Sequence, residues 1–493
     1  MKKEDHLKII FGLKVKQIRT QQDLSLFKLS KLTGLSKSYL NEIEKGKKYP
    51  KEDKIELLAT ALKTTSAMLI SKKLDQNLSP IGQILESNIL KEIPLELFGI
   101  EERDLIDIIA EAPIKVTAFL STLIEIGNHY NLTRENFFLA ALRSYQEANR
   151  NYFEEIEKKV ELFNLRYRTK NDVTPSLFFL ESILEEEYGY SIKKLDFSSH
   201  GEELENLRSI YLEKNKTLLI NECAQDIHLE FIYAKEIGYH FLESPERLYT
   251  FPWAKHNSFD PLLHNFYHSY FAGALLIPKM AVLQKLEEFF MEPKWNPILF
   301  NSLMTQFTQS PETFYQRISN LLSVHFKVND LFFIRMSYVL NTQEYHITKE
   351  LHLSQNTSPH ANETLEHYCR RWLSITLFNR FKELDNQPYL TDCQISQYPL
   401  GDKYLIFTTV TKDHSSENML RSVSIGLLIG EKSKKLIHFL EDPNITQRQV
   451  GVTCESCSVE NCGERVSPPL KLQKEQREKT KEASIEKLKL SFG

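Results

Sequence analysis

Three of the six cysteines lie within nine residues near the end of the chain, in the order Cys-x2-Cys-x4-Cys: Cys454, Cys457 and Cys462. Two residues between the first pair allow both thiolates to reach one metal ion. Three thiolates need a fourth ligand, and we predict that Cys369 supplies it. Zinc would make a static structural site, whereas an iron–sulfur cluster would add redox sensitivity, and the spacing does not separate them. Unligated thiols are the alternative.

A second set of polar side chains lies on a short helix that the sequence predicts to begin after Ser36 and to stop at Gly46. Leu40 and Ile43 face inward at helical spacing, and Glu42 points outward with the other polar residues. Such side chains suit contacts with base edges and phosphates. The candidate DNA-binding residues are Ser36, Lys37, Ser38, Tyr39, Asn41, Lys47 and Lys48.

The helix before it is predicted from Leu26, Leu29 and Leu32, which recur at helical spacing. Ser25 can cap its N-terminus, and Gly34 suits the turn that follows, where a side chain would clash. Further helices are predicted at residues 6–20, 54–62 and 66–73. Together these segments form a five-helix unit.

The stretch from Leu24 to Pro50 resembles the XRE/Cro family of helix-turn-helix repressors. The matching residues are Leu29, Gly34, Ser36, Tyr39, Ile43, Glu44, Gly46 and Pro50. Arg19 matches the arginine that the family pairs with the residue equivalent to Glu44. At the start of the first helix, Leu26 replaces the glutamine that usually reaches a phosphate. The resemblance implies a sequence-specific DNA-binding domain.

The charge distribution favours the same function. Residues 1–73 hold 17 Lys and Arg against 8 Asp and Glu, a formal charge of +9, which leaves −13 for the rest of a chain with net charge −4. A basic module attracts a polyanion, while an acidic body is repelled by it. The N-terminus has no apolar run typical of a signal peptide, and no stretch approaches the roughly 20 apolar residues of a membrane span. We therefore predict a cytoplasmic protein without membrane contact.

The order of segments from about Thr174 to Pro278 resembles the ImmA/IrrE family of zinc metalloproteases. Alignment of AKEIGYHFL with the family's His-Glu-x-x-His motif places Lys235 and Tyr239 where the two histidines belong, and Glu236 on the glutamate. Two imidazoles one turn apart are needed to hold zinc with an open water position. We predict a protease-like fold without its metal and no enzyme activity. Glu236 and His240, four residues apart, are expected to form a surface pair.

The last part of the chain predicts an antiparallel sheet. KYLIFTTVT at 403–411, SVSIGLLIG at 422–430 and KLIHFL at 435–440 have the composition of strands. LFFIRM at 331–336 predicts a buried strand, and the helix beginning at Ser310-Pro311 is predicted to pack rather than to contact DNA. The final residues predict a solvated helix or disorder.

The predicted fold class is mostly α with an α+β C-terminal part, because a chain of 493 residues exceeds one core. The predicted domains are 1–73 (helix-turn-helix), 74–83 (linker), 84–165 (helical, for dimerisation), 166–345 (degenerate ImmA/IrrE-like), 346–470 (C-terminal sensor with metal-binding cysteines) and 471–493 (charged tail).

This order of segments, with EANRNYFEEIE, FAGALLIP, the CESC sequence and a closing ERVSPP, resembles the short-chain fatty acyl-CoA regulator family of bacterial transcription factors. The resemblance implies a regulator that binds an operator, senses an acyl-CoA or related metabolite, and carries a metal centre on its last cysteines. Paired half-sites of operators favour a homodimer. The alternative is a regulatory zinc metalloprotease with a DNA-binding head, which would need zinc at residues 235–240.

Overall fold

The computed structural model describes most of the chain. The described residues are 3–71, 134–167, 174–204, 207–222, 224, 226–244, 247, 249–251, 259–353, 367–384, 387–399, 401–413 and 418–492. The chain divides into two compact units, Met1–Tyr145 with His256–Leu262, and Gln146–Lys255 with Leu263–Gly493. The predicted linker at 74–83 and most of the helical segment predicted at 84–165 lie outside the described residues.

The described part of the first unit begins with a bundle of short helices: α1 (Lys3–Gln21), α2 (Leu26–Thr33), α3 (Lys37–Glu44), α4 (Glu52–Ala61) and α5 (Ser66–Ile70). Its core contains side chains from all of them, including Phe11, Leu29, Leu40, Leu58 and Leu69. The predicted five-helix unit is confirmed within residues 3–71.

The three leucines that predict α2 differ in burial. Leu29 is fully buried, but Leu32 is 60% exposed. The inward position one turn after Leu29 belongs to Thr33, whose hydroxyl donates to the Leu29 carbonyl at 2.8 Å. The short helix thus presents positions four residues apart to the core.

The other α-helices of the described residues are α6 (Arg134–Ala148), α7 (Glu154–Arg166), α8 (Leu177–Ser182), α9 (Asp226–Phe241), α10 (Phe259–Leu276), α11 (Lys279–Phe290), α12 (Pro297–Phe307), α13 (Pro311–His325), α14 (Leu373–Phe381), α15 (Glu431–Leu436) and α16 (Leu470–Phe492). A π-helical turn, Ile183–Glu187, continues α8. Ser310 caps α13 through a bond to the Thr313 amide, and Pro311 follows, as predicted. No helix of the described residues combines the length and apolar character needed to cross a membrane.

The strands form two sheets. They are β1 (Ser191–Leu195), β2 (Ser209–Leu212), β3 (Thr217–Asn221), β4 (Thr250–Phe251), β5 (Leu331–Val339), β6 (Glu344–His352), β7 (Leu390–Gln397), β8 (Lys403–Lys412), β9 (Met419–Leu428) and β10 (Thr446–Gln449). The smaller sheet has the order β1-β3-β2-β4, and the larger one has the order β10-β7-β8-β9-β5-β6. The larger sheet is antiparallel except for the parallel pair of β10 and β7.

The sheet corrects two sequence expectations. The segment 435–440 is not a strand, because it lies at the end of α15 and the start of a 3-10 turn, His438–Glu441. Ser433 fixes the start of that helix, because its hydroxyl accepts from the Gly430 amide at 2.7 Å. The boundary predicted at residue 345 also falls inside one sheet, since β6 crosses it and pairs with β5.

Helices cover both faces of the six-stranded sheet. On one face, Tyr315 of α13 bonds Thr409 of β8 at 2.9 Å, and Phe300 of α12 stacks on Phe407. On the other face, α14 packs Phe378 against Tyr338 of β5. Strand residues alternate between these faces, and therefore nearly every side chain of β8 and β9 is buried. Because helices pack on both faces of the sheet, the sequences of these two strands consist mostly of consecutive apolar or small residues.

A buried ion pair connects three helices of the second unit. Arg317 of α13 donates to both carboxylate oxygens of Glu157 on α7, at 2.5 and 3.1 Å, and both side chains are almost fully buried. Tyr270 of α10 donates to the same carboxylate at 2.8 Å. Burial would raise the pKa of Glu157, but the charge of Arg317 and the hydrogen bonds from Arg317 and Tyr270 together lower it. α13 is a packing helix, as predicted, and the described chain as a whole is a mixed α/β protein.

Candidate DNA-binding surface and buried polar sites

The two helices of the predicted DNA reader are bounded by the caps expected from the sequence. The hydroxyl of Ser25 accepts from the Lys28 amide at 3.1 Å, and that of Ser36 accepts from the Tyr39 amide at 3.2 Å. Gly34 ends α2 at φ +73°, a left-handed conformation in which a side chain is strained. Local chemistry therefore fixes the length of both helices and the turn between them.

α3 turns an apolar face inward and a polar face to solvent. Leu40 and Ile43 are fully buried, whereas Lys37, Ser38 and Asn41 are exposed. The exposed group offers one ammonium, one hydroxyl and one amide, a set that can reach phosphates and base edges. The structure thus places these three predicted residues together on one accessible face.

The other candidate residues have additional roles. Tyr39 is half-buried against the core, and the Lys54 ammonium lies 4.7 Å from the centre of its ring. Lys48 forms an ion pair with Glu42 at 2.8 Å, which raises the pKa of this lysine. Lys47 is exposed beside it. The DNA-binding roles of all seven candidates stay predictions.

The orientation of α3 depends on a close backbone contact with α1. A Cβ atom placed on Gly12 would lie 2.2 Å from the Ile43 carbonyl oxygen and 3.0 Å from that of Glu44. Near the same point, Arg19 holds the Glu44 carboxylate at both oxygens, 2.6 and 2.9 Å, as the family resemblance implied. Sequence reasoning missed Gly12, although a glycine inside an amphipathic helix is a costly choice that signals close packing.

Helix α9, where a metalloprotease would carry its zinc motif, contains a different network. The hydroxyl of Tyr190 donates to Glu236 at 2.9 Å and lies 2.9 Å from Nε2 of His240. Arg247 forms an ion pair with Glu236. Burial, followed by the charge of Arg247, lowers the pKa of His240 to about 4. The expected surface pair of Glu236 and His240 is therefore wrong: Glu236 is buried against Tyr190 and Arg247, and the half-buried His240 shares the same tyrosine.

Lys235 and His268 lie deeper in the same region. Lys235 is buried and donates to Oδ1 of Asn265 at 2.6 Å. Burial lowers its pKa to about 7, with Glu236 opposing the shift. His268 is fully buried, packs on the Tyr239 ring, and has no hydrogen-bond partner at either ring nitrogen among the described residues. Its pKa is lowered to about 2 by burial and by the neighbouring charge of Lys235.

The predicted cysteine site is only partly assembled. Cys369 lies beside the strand-like segment that carries Cys454, because its amide donates to the Val452 carbonyl at 3.0 Å. The Gly451 amide donates to the Cys369 sulfur at 3.4 Å, and a Cβ on Gly451 would lie 2.7 Å from the Cys457 sulfur. Burial raises the pKa of Cys369 to about 11.

Three of the four predicted ligands, Cys369, Cys454 and Cys457, are thus buried neighbours, and Cys462 is half-buried. Across the described ranges, no three or more Cys, His, Asp or Glu side chains are grouped closely enough to hold a metal ion. The four sulfurs therefore do not form a ready-made tetrahedral site. The metal assignment stays a prediction.

Two parts of the chain match known families. Residues 15–69 match the family described as Helix-turn-helix, and residues 354–485 match the family described as Short-chain fatty acyl coenzyme A regulator, C-terminal. These matches confirm the resemblance found in the sequence. The chain contains an XRE-type DNA-binding domain and the C-terminal domain of short-chain fatty acyl-CoA regulators.

Solved structures show weaker likenesses. A Mycobacterium tuberculosis transcriptional regulator shares 16% identity, with 66% of this chain and 93% of that chain covered and a TM-score of 0.47. The apo form of the competence regulator ComR from Streptococcus vestibularis shares 16% identity, with 65% and 86% covered and a TM-score of 0.13. Both likenesses are too weak to support a conclusion about this chain. No curated protein sequence matches it.

The contact at Gly12 generates the first prediction. Gly12→Ala is expected to destabilise the N-terminal unit by about 1–3 kcal/mol, because the new methyl group must separate α1 from the α3 backbone. Hydrogen–deuterium exchange of the full chain should show faster exchange in residues 3–44. Gly273→Ala, in helix α10, is the matched control, since its Cβ would meet no described atom within 4 Å. Unchanged protection in Gly12→Ala would contradict this packing account.

The buried lysine generates a prediction about pH. The unfolded chain keeps the Lys235 proton to about pH 10.4, whereas the folded protein loses it near pH 7, and stability from this group therefore rises with pH across that window. Lys235→Met is expected to raise the melting temperature most at pH 7 and below. Its advantage should shrink by up to about 1.4 kcal/mol per pH unit toward pH 10. Lys285→Met, at a partly exposed site, is the control, and a pH-independent effect of Lys235→Met would refute the assignment.

Proposed function

We propose that this chain is a DNA-binding transcriptional regulator that reads its operator with helix α3 and responds to a short-chain acyl-CoA or related metabolite. One observation carries the proposal: the solvent-facing side of α3 gathers Lys37, Ser38 and Asn41 on a basic unit whose fold fixes the helix from behind. The match of residues 15–69 to helix-turn-helix domains supports the same function.

The effector and the assembly are further parts of this proposal. The match of residues 354–485 to the C-terminal domain of short-chain fatty acyl-CoA regulators supports an effector of that class. A homodimer in the cytoplasm would place two copies of α3 on paired half-sites of an operator. An effector that binds one dimer geometry better than another would raise the fraction of dimers in that geometry. Operator affinity would change as a result.

The proposed regulator does no peptidase chemistry. At the two positions where the protease motif needs imidazoles, the chain has Lys235, whose ammonium is bonded to Asn265, and Tyr239, whose ring packs on His268. Glu236 is already occupied by Tyr190 and Arg247. A general base for hydrolysis would need to reach a metal-bound water, and this carboxylate is held by other groups.

Substitutions on α3 test the DNA assignment. The operator is first identified by selecting bound sequences from a random DNA pool with the full chain. Lys37→Ala is then expected to weaken binding to all sequences and to reduce the slope of affinity against salt by about one unit, because one phosphate contact is lost. Asn41→Ala is expected to cost about 1–3 kcal/mol on the operator and little on random DNA.

The control for net charge is Lys432→Ala, which removes one exposed positive charge from the second unit. It should leave operator affinity and salt dependence as they are in the wild type. Mobility-shift titrations at several fixed salt concentrations measure all three variants. The assignment of α3 fails if Lys37→Ala and Asn41→Ala both bind the operator as the wild type does.

We also propose that Cys369, Cys454, Cys457 and Cys462 hold zinc or an iron–sulfur cluster. Three observations support this proposal: all four side chains are thiols, three of them are buried, and the Gly451 amide donates a hydrogen bond to the Cys369 sulfur. A bound metal would fasten the segment 451–462 to the segment around Cys369. An iron–sulfur cluster would in addition make that connection redox-sensitive.

Metal analysis tests this second proposal. Anaerobically purified full chain is expected to contain about one metal centre per chain, measured by elemental analysis, with a visible absorbance band if the centre is an iron–sulfur cluster. Cys457→Ser should lose the metal. Cys393→Ser removes a buried thiol of β7 outside the proposed set and should retain it. A metal-free wild type, or full metal content in Cys457→Ser, would overturn the proposal.

A further inference from the structure

A small polar cavity lies in the second unit, where the first turn of α13 meets strands β8 and β9. Its volume is about 60 Å³, and its lining includes Arg208, Ser310, Glu312, Thr411 and Arg421. By the same measure a single water needs about 10–15 Å³. The cavity therefore has room for a few waters or for one small oxyanion.

The two carboxylates at this cavity already have cationic partners. Glu312 accepts from Nη1 of Arg335 at 2.8 and 3.0 Å, and Asp413 forms an ion pair with Arg421. Arg208 and Lys412 also line the cavity. The lining holds three cationic side chains, those of Arg208, Lys412 and Arg421, against two carboxylates, and its net formal charge is therefore positive.

One donor in the lining has no acceptor. The Nε–H group of Arg421 is buried and has no hydrogen-bond partner within the part of the chain that the structure describes. A buried donor of this kind costs free energy unless an acceptor completes it. The start of α13 adds the partial positive charge of a helix N-terminus, and Ser310 and Thr411 add hydroxyl groups to the lining.

The pKa of Glu312 indicates the same positive potential. Burial would raise this pKa, but the charges of Arg335, Lys349 and Arg421 lower it to about 2. Burial lowers the pKa of Arg208 and the charge of Arg421 lowers it further, whereas Glu312 and Asp413 oppose the shift. A bound anion would stabilise the charged arginines by relieving this repulsion.

We propose that the cavity lined by Arg208 and Arg421 is an oxyanion site that takes a phosphate group, either free phosphate or the terminal phosphate of the effector. The proposal deepens the proposed function, on which its link to an effector rests. An arginine binds phosphate oxygens through paired N–H groups, and a helix start and hydroxyls commonly complete such sites.

Calorimetric titration of the full chain with inorganic phosphate, in a buffer free of phosphate and sulfate, tests the site. The wild type is expected to bind one phosphate per chain with a saturable isotherm. Arg208→Gln should weaken binding at least tenfold by removing a cation. Thr411→Leu should weaken it similarly by filling the cavity without a change of charge, which keeps the test meaningful if either variant alone is unstable.

Arg380→Gln is the matched control, because Arg380 lies in the same unit, forms an exposed ion pair with Asp392 and does not line the cavity. It should bind phosphate within twofold of the wild type. The site is overturned if the wild type shows no saturable binding, or if Arg208→Gln and Thr411→Leu both bind as the control does.

Two further titrants identify the source of the phosphate. Tighter binding of coenzyme A than of inorganic phosphate, lost with 3′-dephospho-coenzyme A, supports the site and assigns it to a phosphomonoester of the effector. Binding of inorganic phosphate unaffected by either compound supports the site and assigns it to the free ion. Operator binding is measured separately. A chain that selects no DNA sequence would overturn the proposed function, whereas the phosphate titration would still test whether the cavity is an oxyanion site.

Discussion

The function of the N-terminal unit depends on how closely two helix backbones approach each other. With no side chain at Gly12, α1 lies directly against the carbonyl groups at the end of α3, and the ion pair of Arg19 with Glu44 closes the same contact. Helix α3 is therefore oriented by backbone packing and a buried carboxylate, while Lys37, Ser38 and Asn41 stay exposed.

The second unit keeps charged groups in its interior and matches almost all of them with partners. Glu157 and Arg317 join α7 to α13, and Glu236 is held by Tyr190 and Arg247. Buried ion pairs of this kind contribute little net stability but strongly penalise any arrangement that separates them. Among these buried charged groups Lys235 is the unfavourable one, because burial disfavours its positive charge more than the neighbouring Glu236 favours it. The helix that would carry a protease motif thus serves as a structural element of the core.

Sequence reasoning succeeded where the determining forces are local. The caps at Ser36 and Ser310, the turn at Gly34 and the inward positions of Leu40 and Ile43 follow from residues within a few positions of each other, and all are present. The strands β8 and β9 were recognisable because sheets covered on both faces consist of unbroken apolar and small residues. The family matches to residues 15–69 and 354–485 agree with the motifs that suggested them.

It failed where distant residues decide the outcome. Glu236 and His240 look like a surface pair until Tyr190, 46 positions earlier than Glu236, is placed between them. The segment 435–440 is apolar enough for a strand. However, the hydrogen bond between the Gly430 amide and the Ser433 hydroxyl starts a helix at residue 431, and this helix extends into the segment as far as residue 436. That signal was present in the sequence. The glycine at position 12 also signals close packing, but its contact could not be assigned from the sequence, because Ile43 lies 31 residues further along the chain.

The pairing of Lys48 with Glu42 has a consequence for how the protein would search a chromosome. In the free protein this ammonium group is paired with Glu42 and lies 5.8 Å from the centre of the Tyr39 ring. If α3 contacts DNA as proposed, a phosphate that binds Lys48 would leave Glu42 facing a polyanion, and this repulsion would be offset only where neighbouring bases complete the contacts of α3. Encounters with arbitrary DNA would then be brief, and residence would lengthen only at the cognate site.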